Sequence, residues 1–189
     1  MNKMIFLNIG WMENYQGLED DSIAGGGSFV QQYNNGCETD NYPPCEIRNF
    51  QPYEGYMYGF VRVTAGSLKI ERLGASPRDN SIDGILVVWV AKSPSDGTVI
   101  VGWFKNATVY RDCQLPPESS GRKREGRHEW GYRVSAKEED CRLLPIERRV
   151  LRVPRGGKGA MGQSNVWYAD QPANSAFRQK VREFIAQTK

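Results

Sequence analysis

The sequence predicts a single α+β domain, mainly β: a small barrel flanked by short helices and closed by a C-terminal amphipathic helix. Three observations carry this. Apolar, β-branched and aromatic runs of strand length recur along most of the chain, separated by glycine- and proline-rich breakers. Only the last stretch changes to the helical period. The 189 residues suffice for one well-cored domain, whereas two would each be small for an independent core.

The elements follow in order. Met4 to Ile9 is an apolar run that Gly10 interrupts, and it predicts a buried first strand. Trp11 to Asn49 carries Gly25-Gly26-Gly27, Asn34-Asn35-Gly36 and Pro43-Pro44, too many breakers for a long regular element, and reads as structured loop with short helical or strand pieces. Tyr56 to Val63 is aromatic and β-branched, and is expected to be a strand. Ile85 to Ala91 and Thr98 to Phe104, joined across Ser93-Pro94-Ser95-Asp96-Gly97, predict a hairpin. Ala107 to Tyr110 extends or pairs with that sheet after a kink at Lys105-Asn106. The polar, charged stretch between Leu115 and Trp130 is an exposed loop or hairpin tip. Tyr132 to Ala136, Glu147 to Val153 and Asn165 to Tyr168 read as further short strands, with a glycine-rich loop over Pro154 to Gly162. Phe177, Val181, Phe184 and Ile185 then fall on one helical face, with Arg178, Lys180 and Arg182 mostly outside.

Charge is unevenly distributed. Residues 1–100 hold 7 basic against 12 acidic side chains, and residues 101–189 hold 18 against 10, for a net charge of +3 overall. A basic half suits a polyanion-facing side, because concentrated cations release counterions from nucleic acid; a merely solvated basic surface is the alternative. No apolar run is long enough to span a bilayer, and Met1 to Gly10 is too short and too soon polar for a secretory signal, so a cytoplasmic protein is expected. Cys37, Cys45, Cys113 and Cys141 form no CxxC pair and His128 is the sole histidine, which favours structural thiols over a zinc site.

Catalytic chemistry finds little footing. His128 lacks a second histidine or a triad, and Asp20-Asp21 and Glu138-Glu139-Asp140 lack a third ligand and read as surface or helix-start charge. No catalytic residue, metal or cofactor is assigned. The loop Arg155 to Ser164 exposes backbone amides beside Lys158 but lacks GK[ST] spacing, so a contact to a backbone phosphate is the better reading than nucleotide hydrolysis. Aromatic residues are the richer signal. Of five tryptophans, Trp89 sits inside ILVVWVA and is assigned to the core, whereas Trp11, Trp103 and Trp167 adjoin polar or glycine residues, the setting that stacking on an unstacked base requires. Directional groups for a base edge are available in Asn8, Ser28, Asn106, Ser164 and Asn165, each equally suited to capping a turn.

The stretches GWM, GGGSF, LVVWVAKSPSDGTVIVGWFKNATVYR and GKGAMGQSNVWYAD, followed by an Arg-rich helix, resemble the N-terminal EVE-like domain, of the PUA superfamily, found in prokaryotic modification-dependent HNH endonucleases. The resemblance spans Met4 to the C-terminal helix. It implies a PUA-like β-barrel whose pocket accepts a flipped 5-methyl- or 5-hydroxymethylcytosine, with cleavage left to an HNH domain that this sequence lacks and through which the parent protein would dimerise. The implied base pocket comprises Trp11, Ser28, Phe29, Trp103, Asn106, Asn165, Trp167 and Tyr168, with Gly25 to Phe29 as lid or wall. Lys105, Arg122, Lys123, Arg124, Arg127, Arg155, Lys158 and Ser164 are then expected to hold the backbone of double-stranded DNA. Neutralising about five phosphates implies a slope of about −4.5 in log K against log salt. Three rivals stay open: an RNA-modification reader, a nucleotide hydrolase working through Lys158, and a protein-interaction module.

Overall fold

A computed structural model describes residues 3–25, 44–64, 66–117, 119–120 and 131–188. Strands β1 (Met4–Ile9), β2 (Pro52–Tyr53), β3 (Tyr56–Gly59), β4 (Ser81–Ser93), β5 (Gly97–Gln114), β6 (Tyr132–Lys137), β7 (Cys141–Leu143) and β8 (Val166–Trp167) form one sheet, followed by helix α1 (Ser175–Gln187). The strand order is β2-β3-β6-β5-β4-β1-β8, with β7 paired to β5. Among the described residues β2 and β8 end this path and do not pair with each other, so the fold is mainly β with one C-terminal α-helix, as expected, but the expected barrel closure is not formed.

Both faces of the sheet centre are covered, which explains why β1 and the middle of β4 are apolar throughout rather than alternating. Ile5, Leu7 and Ile9 point into one cluster with Val87, Trp89 and Phe104. Met4 and Phe6 point into the other with Val88, Val90, Trp103 and the α1 residues Val181 and Ile185. β1 runs parallel to β4, with Asn8 level with Val90 and Met4 level with Leu86. The two-residue β8 lies antiparallel on the other side of β1, pairing Phe6 with Trp167.

Three elements differ from expectation. The strand at Tyr56 stops at Gly59 because the Asn49 side-chain amide bonds both main-chain groups of Phe60, accepting its N–H (2.8 Å) and donating to its carbonyl (2.9 Å). A side chain thus takes the place of a neighbouring strand. Glu147 to Val153 is not a strand: Ile146–Arg148 forms a 3₁₀ turn and only Arg152 bridges Val99. The hairpin is longer than its apolar core, with Ser81 and Ile82 paired to Tyr110 and Val109 at the far end and β5 running on past β4 to Gln114, and its turn is shorter, with Gly97 at φ +78°. Asn106 supplies the expected kink in β5, at φ +48°.

Candidate nucleic-acid interface

Asn8 is the polar interruption in MIFLNI, the last residue of β1 but one, and β8 delivers Asn165 beside it: the Asn8 N–H donates to the Asn165 carbonyl (2.8 Å). Their side chains pair as well, Asn8 Nδ2 donating to Asn165 Oδ1 (3.2 Å). Asn165 Nδ2 donates onward to the Arg62 carbonyl (3.2 Å), and Asn8 Oδ1 accepts from Arg155 Nη2 (2.9 Å). A primary amide offers two donors and two acceptor lone pairs. Among the described residues each of these amides uses one donor and one acceptor, so each keeps one of both.

Arg155 is expected to grip phosphate, but it is largely committed within the fold. Its Nε donates to Thr98 Oγ1 (3.0 Å), Nη1 donates to the Gly162 carbonyl and Nη2 holds Asn8. Partial burial pulls its pKa down. The glycine-rich loop is anchored in the same way, because the Gly159 carbonyl accepts both Trp167 Nε1 (3.2 Å) and Asn174 Nδ2 (3.0 Å). Gly156, Gly157 and Gly159 take φ of +73°, +89° and +83°, and Lys158 stands exposed between them. A loop of this shape needs glycine and presents one lysine outward.

Beyond Ile9 a buried charged centre supports the chain. Glu46, 6% exposed, accepts the Gly10 N–H at 2.7 Å. Desolvation raises its pKa to about 7, against the opposing pull of that hydrogen bond and of the Arg62 charge. Arg149, 4% exposed, donates to three carbonyls, those of Leu144 (2.8 Å), Met12 (2.6 Å) and Glu13 (2.5 Å), and its guanidinium lies 4.9 Å from the Trp11 ring centroid. Trp11 is half-buried and pairs with Ala24 through two main-chain bonds.

Next to the amide pair lies a hollow of about 380 Å³, within the size range of small-ligand sites. It opens beside the β8 segment and is lined, among the described residues, by the hydroxyl-bearing Thr64, Ser67 and Ser164, by Lys69 and Arg72, and by Tyr168, and by no carboxylate. Tyr168 is held by the Lys69 N–H, which donates to its hydroxyl (2.8 Å). The Arg72 guanidinium sits 4.2 Å from the Tyr168 ring centroid and makes a two-point contact to Asp170 (2.8 and 2.6 Å).

The structure therefore brings Arg155, Asn165 and, next to it in sequence, Ser164 to Asn8 near the C-terminal end of β1, which Trp11 follows; Lys158 stands on the loop that Gly159 ties to Trp167, and Tyr168 lies past Trp167, toward the start of β1. It does not gather the others. Trp103 is 2% exposed and meets Phe184 of α1 edge-on at 6.3 Å, and Trp167 packs against Phe6 at 4.9 Å; neither walls an open pocket, because the α1 side of the sheet needs large rings to fill it. Lys105 and Asn106 lie beside Ile85–Ala107, level with the start of β1, at the opposite end of that strand from Asn8, and there Asn106 donates to Asp140 (3.2 and 3.3 Å). Asn106 thus serves the kink rather than a base edge. Ser28 and Phe29, and Arg122, Lys123, Arg124 and Arg127, lie outside the described residues.

Sequence reading missed Glu46, Arg149, Lys69 and Arg72. Apart from the Leu144 carbonyl that Arg149 also holds, their partners in hydrogen bonds that involve a side chain lie 36 to 137 residues away, and nothing in their local sequence marks them. No protein-family model, curated protein or solved structure matches this chain. Among the described residues no group of three or more potential metal ligands occurs, and no helix is long and apolar enough to cross a membrane.

Proposed function

We propose that this chain is a non-catalytic reader of modified cytosine in DNA, which takes a flipped base at the C-terminal end of β1. The observation that carries the reading is the Asn8–Asn165 amide pair, fixed by Arg155 and the Arg62 carbonyl and left with a donor and an acceptor on each amide. A flipped cytosine offers a complementary edge, an N4 amino donor beside ring acceptors, and such edges are read by side-chain amides once the base leaves the stack. The ring would rest on Trp11, the one tryptophan of the three that is only half-buried, while Lys158 meets a neighbouring phosphate. The nuclease to which such a reader would be fused, and a dimer formed through it, belong to the same proposal.

Binding measured by fluorescence anisotropy tests it, with duplexes that differ only in the modification of one cytosine. The wild type should prefer the modified duplex. Asn165→Ala should weaken that binding by about 5- to 150-fold, the value of one paired base contact at roughly 1–3 kcal/mol, without changing the salt slope. Equal affinity of the wild type for modified and unmodified duplex would refute the reading, as would an Asn165→Ala protein that discriminates as well as the wild type. Preference for methylated single-stranded RNA over the duplex would transfer the same amide site to RNA.

A further inference from the structure

The hollow beside the amide pair has chemistry of its own that reading a single base does not use. It shares two chain segments with the pair. Asn165 lies between the hollow-lining Ser164 and Val166, and Arg62, whose carbonyl Asn165 holds, directly precedes the hollow-lining Val63. Two binding positions therefore sit side by side along one edge of the fold.

Within the hollow the Arg72 side chain is 44% exposed, with one face of its guanidinium on Tyr168 and one edge locked by the two bonds to Asp170. This fixes a flat group whose remaining face is turned away from the ring. Unstacked bases lie on arginine planes of this kind as they do on aromatic rings. Asp170 neutralises Arg72 locally, so the available positive charge of the hollow belongs to Lys69, which forms no ion pair among the described residues; Glu71, near enough for Lys69 to help lower its pKa, is itself paired with Arg111 (2.6 Å). The hydroxyls of Thr64, Ser67 and Ser164 add hydrogen-bonding groups, and Ser67 already donates to Asp112 (2.5 Å). A flat stacking surface, a lone cation, neutral hydroxyls and no carboxylate together match one nucleotide: base, phosphate and sugar.

We propose that this hollow takes a second nucleotide, adjacent along the strand to the one held at Asn8 and Asn165, with its base on the open face of Arg72 and its phosphate at Lys69. The inference rests on the reading of the amide pair as a base site.

The test uses the full chain and fluorescently labelled oligonucleotides carrying one modified cytosine, with an abasic position placed on its 5′ or its 3′ side. Arg72→Ala removes an exposed ion pair, which contributes little to stability, so the variant is expected to fold. It should weaken binding about tenfold, in the range of one lost base stack, and one of the two abasic oligonucleotides should weaken wild-type binding by a similar factor. Combined, the two changes should cost no more than either alone, because they remove the same contact. Lys69→Ala should make the salt slope shallower by about 0.7 to 0.9, one phosphate's worth. Losses that multiply, or Arg72→Ala binding like the wild type while modification is still discriminated, would overturn the second site and leave the first standing. Failure of the wild type to bind any of these oligonucleotides would overturn both. Binding of the free mononucleotide, lost equally in Arg72→Ala, without any effect of the abasic positions, would identify the hollow as a nucleotide site independent of the strand and so overturn the adjacency.

Discussion

Arg149→Ala tests the link between the buried charged centre and the edge proposed to read a base. The guanidinium is 4% exposed and donates to the carbonyls of Leu144, Met12 and Glu13 at 2.8, 2.6 and 2.5 Å, which ties the segment after β1 to the segment after β7. Hydrogen bonds from a charged donor contribute roughly 1.5–3 kcal/mol each, and a buried acceptor left without a partner costs about 1–3 kcal/mol. The Glu13 bond is only half-buried, so water can replace the lost donor there, which leaves two fully buried carbonyls to count. Against their loss stands the relief of desolvating the guanidinium, whose burial already lowers its pKa. The net destabilisation is then about 2–4 kcal/mol, a large share of the roughly 5–15 kcal/mol that holds a domain folded. Urea unfolding followed by tryptophan fluorescence and by circular dichroism measures it. Arg149→Lys should recover less than half, because one ammonium cannot span three carbonyls held by a planar fork. A loss below about 1 kcal/mol in Arg149→Ala, or full rescue by lysine, would show that water or rearranged backbone satisfies these carbonyls and that the centre does not hold Trp11 in place.

Trp103→Ala and Trp11→Ala should separate core from site: the first should cost about 3–5 kcal/mol in urea unfolding, as for a buried ring, whereas the second should lose far less stability and lose DNA affinity instead. Similar stability losses for the two would contradict the placement of Trp103 under α1. Gly59→Ala should be poorly tolerated, because a Cβ there would lie 2.3 Å and 2.7 Å from the Trp89 ring, and overpacking of this kind costs typically 1–3 kcal/mol; a thermal midpoint equal to wild type would show that the Trp89 ring gives way freely. Glu46 should make stability fall with rising pH. Its folded pKa of about 7 stands above its ordinary value of 4.5, so the folded state binds the proton more tightly, and stability from this group is lost as pH climbs from about 4.5 through 7, by about 3 kcal/mol in all. Glu46→Gln should flatten that part of the profile, and an unchanged slope from pH 5 to 8 would assign it to other groups.

Much of the fold was legible in the sequence. The hairpin of β4 and β5, the buried β1, the short β8 and the face of α1 all follow from the spacing of apolar residues, because burial on one side of a strand or helix writes its period into the chain. What failed did so for tertiary reasons. Phe60 to Val63 has strand composition, but Asn49 caps the strand from eleven residues away. Leu151 and Val153 are buried as strand residues would be, yet they anchor an irregular segment beneath the sheet through single main-chain bonds to Ile100 and Thr98. Trp103 and Trp167 border glycine and polar residues in sequence, and that neighbourhood signals nothing about the helix that covers them.

Composition and periodicity by themselves determined a mainly β chain with a basic second half and one amphipathic C-terminal helix, since charge balance and hydrophobic spacing are properties of the residues in order. Only the tertiary structure decided which polar groups meet. β1 and β8 lie some 160 residues apart in the chain, yet their pairing sets Asn8 against Asn165, and the same edge brings Arg72 onto Tyr168. Such contacts arise from strand register and from the packing of both sheet faces, and neither is encoded in the local sequence around any one of these residues.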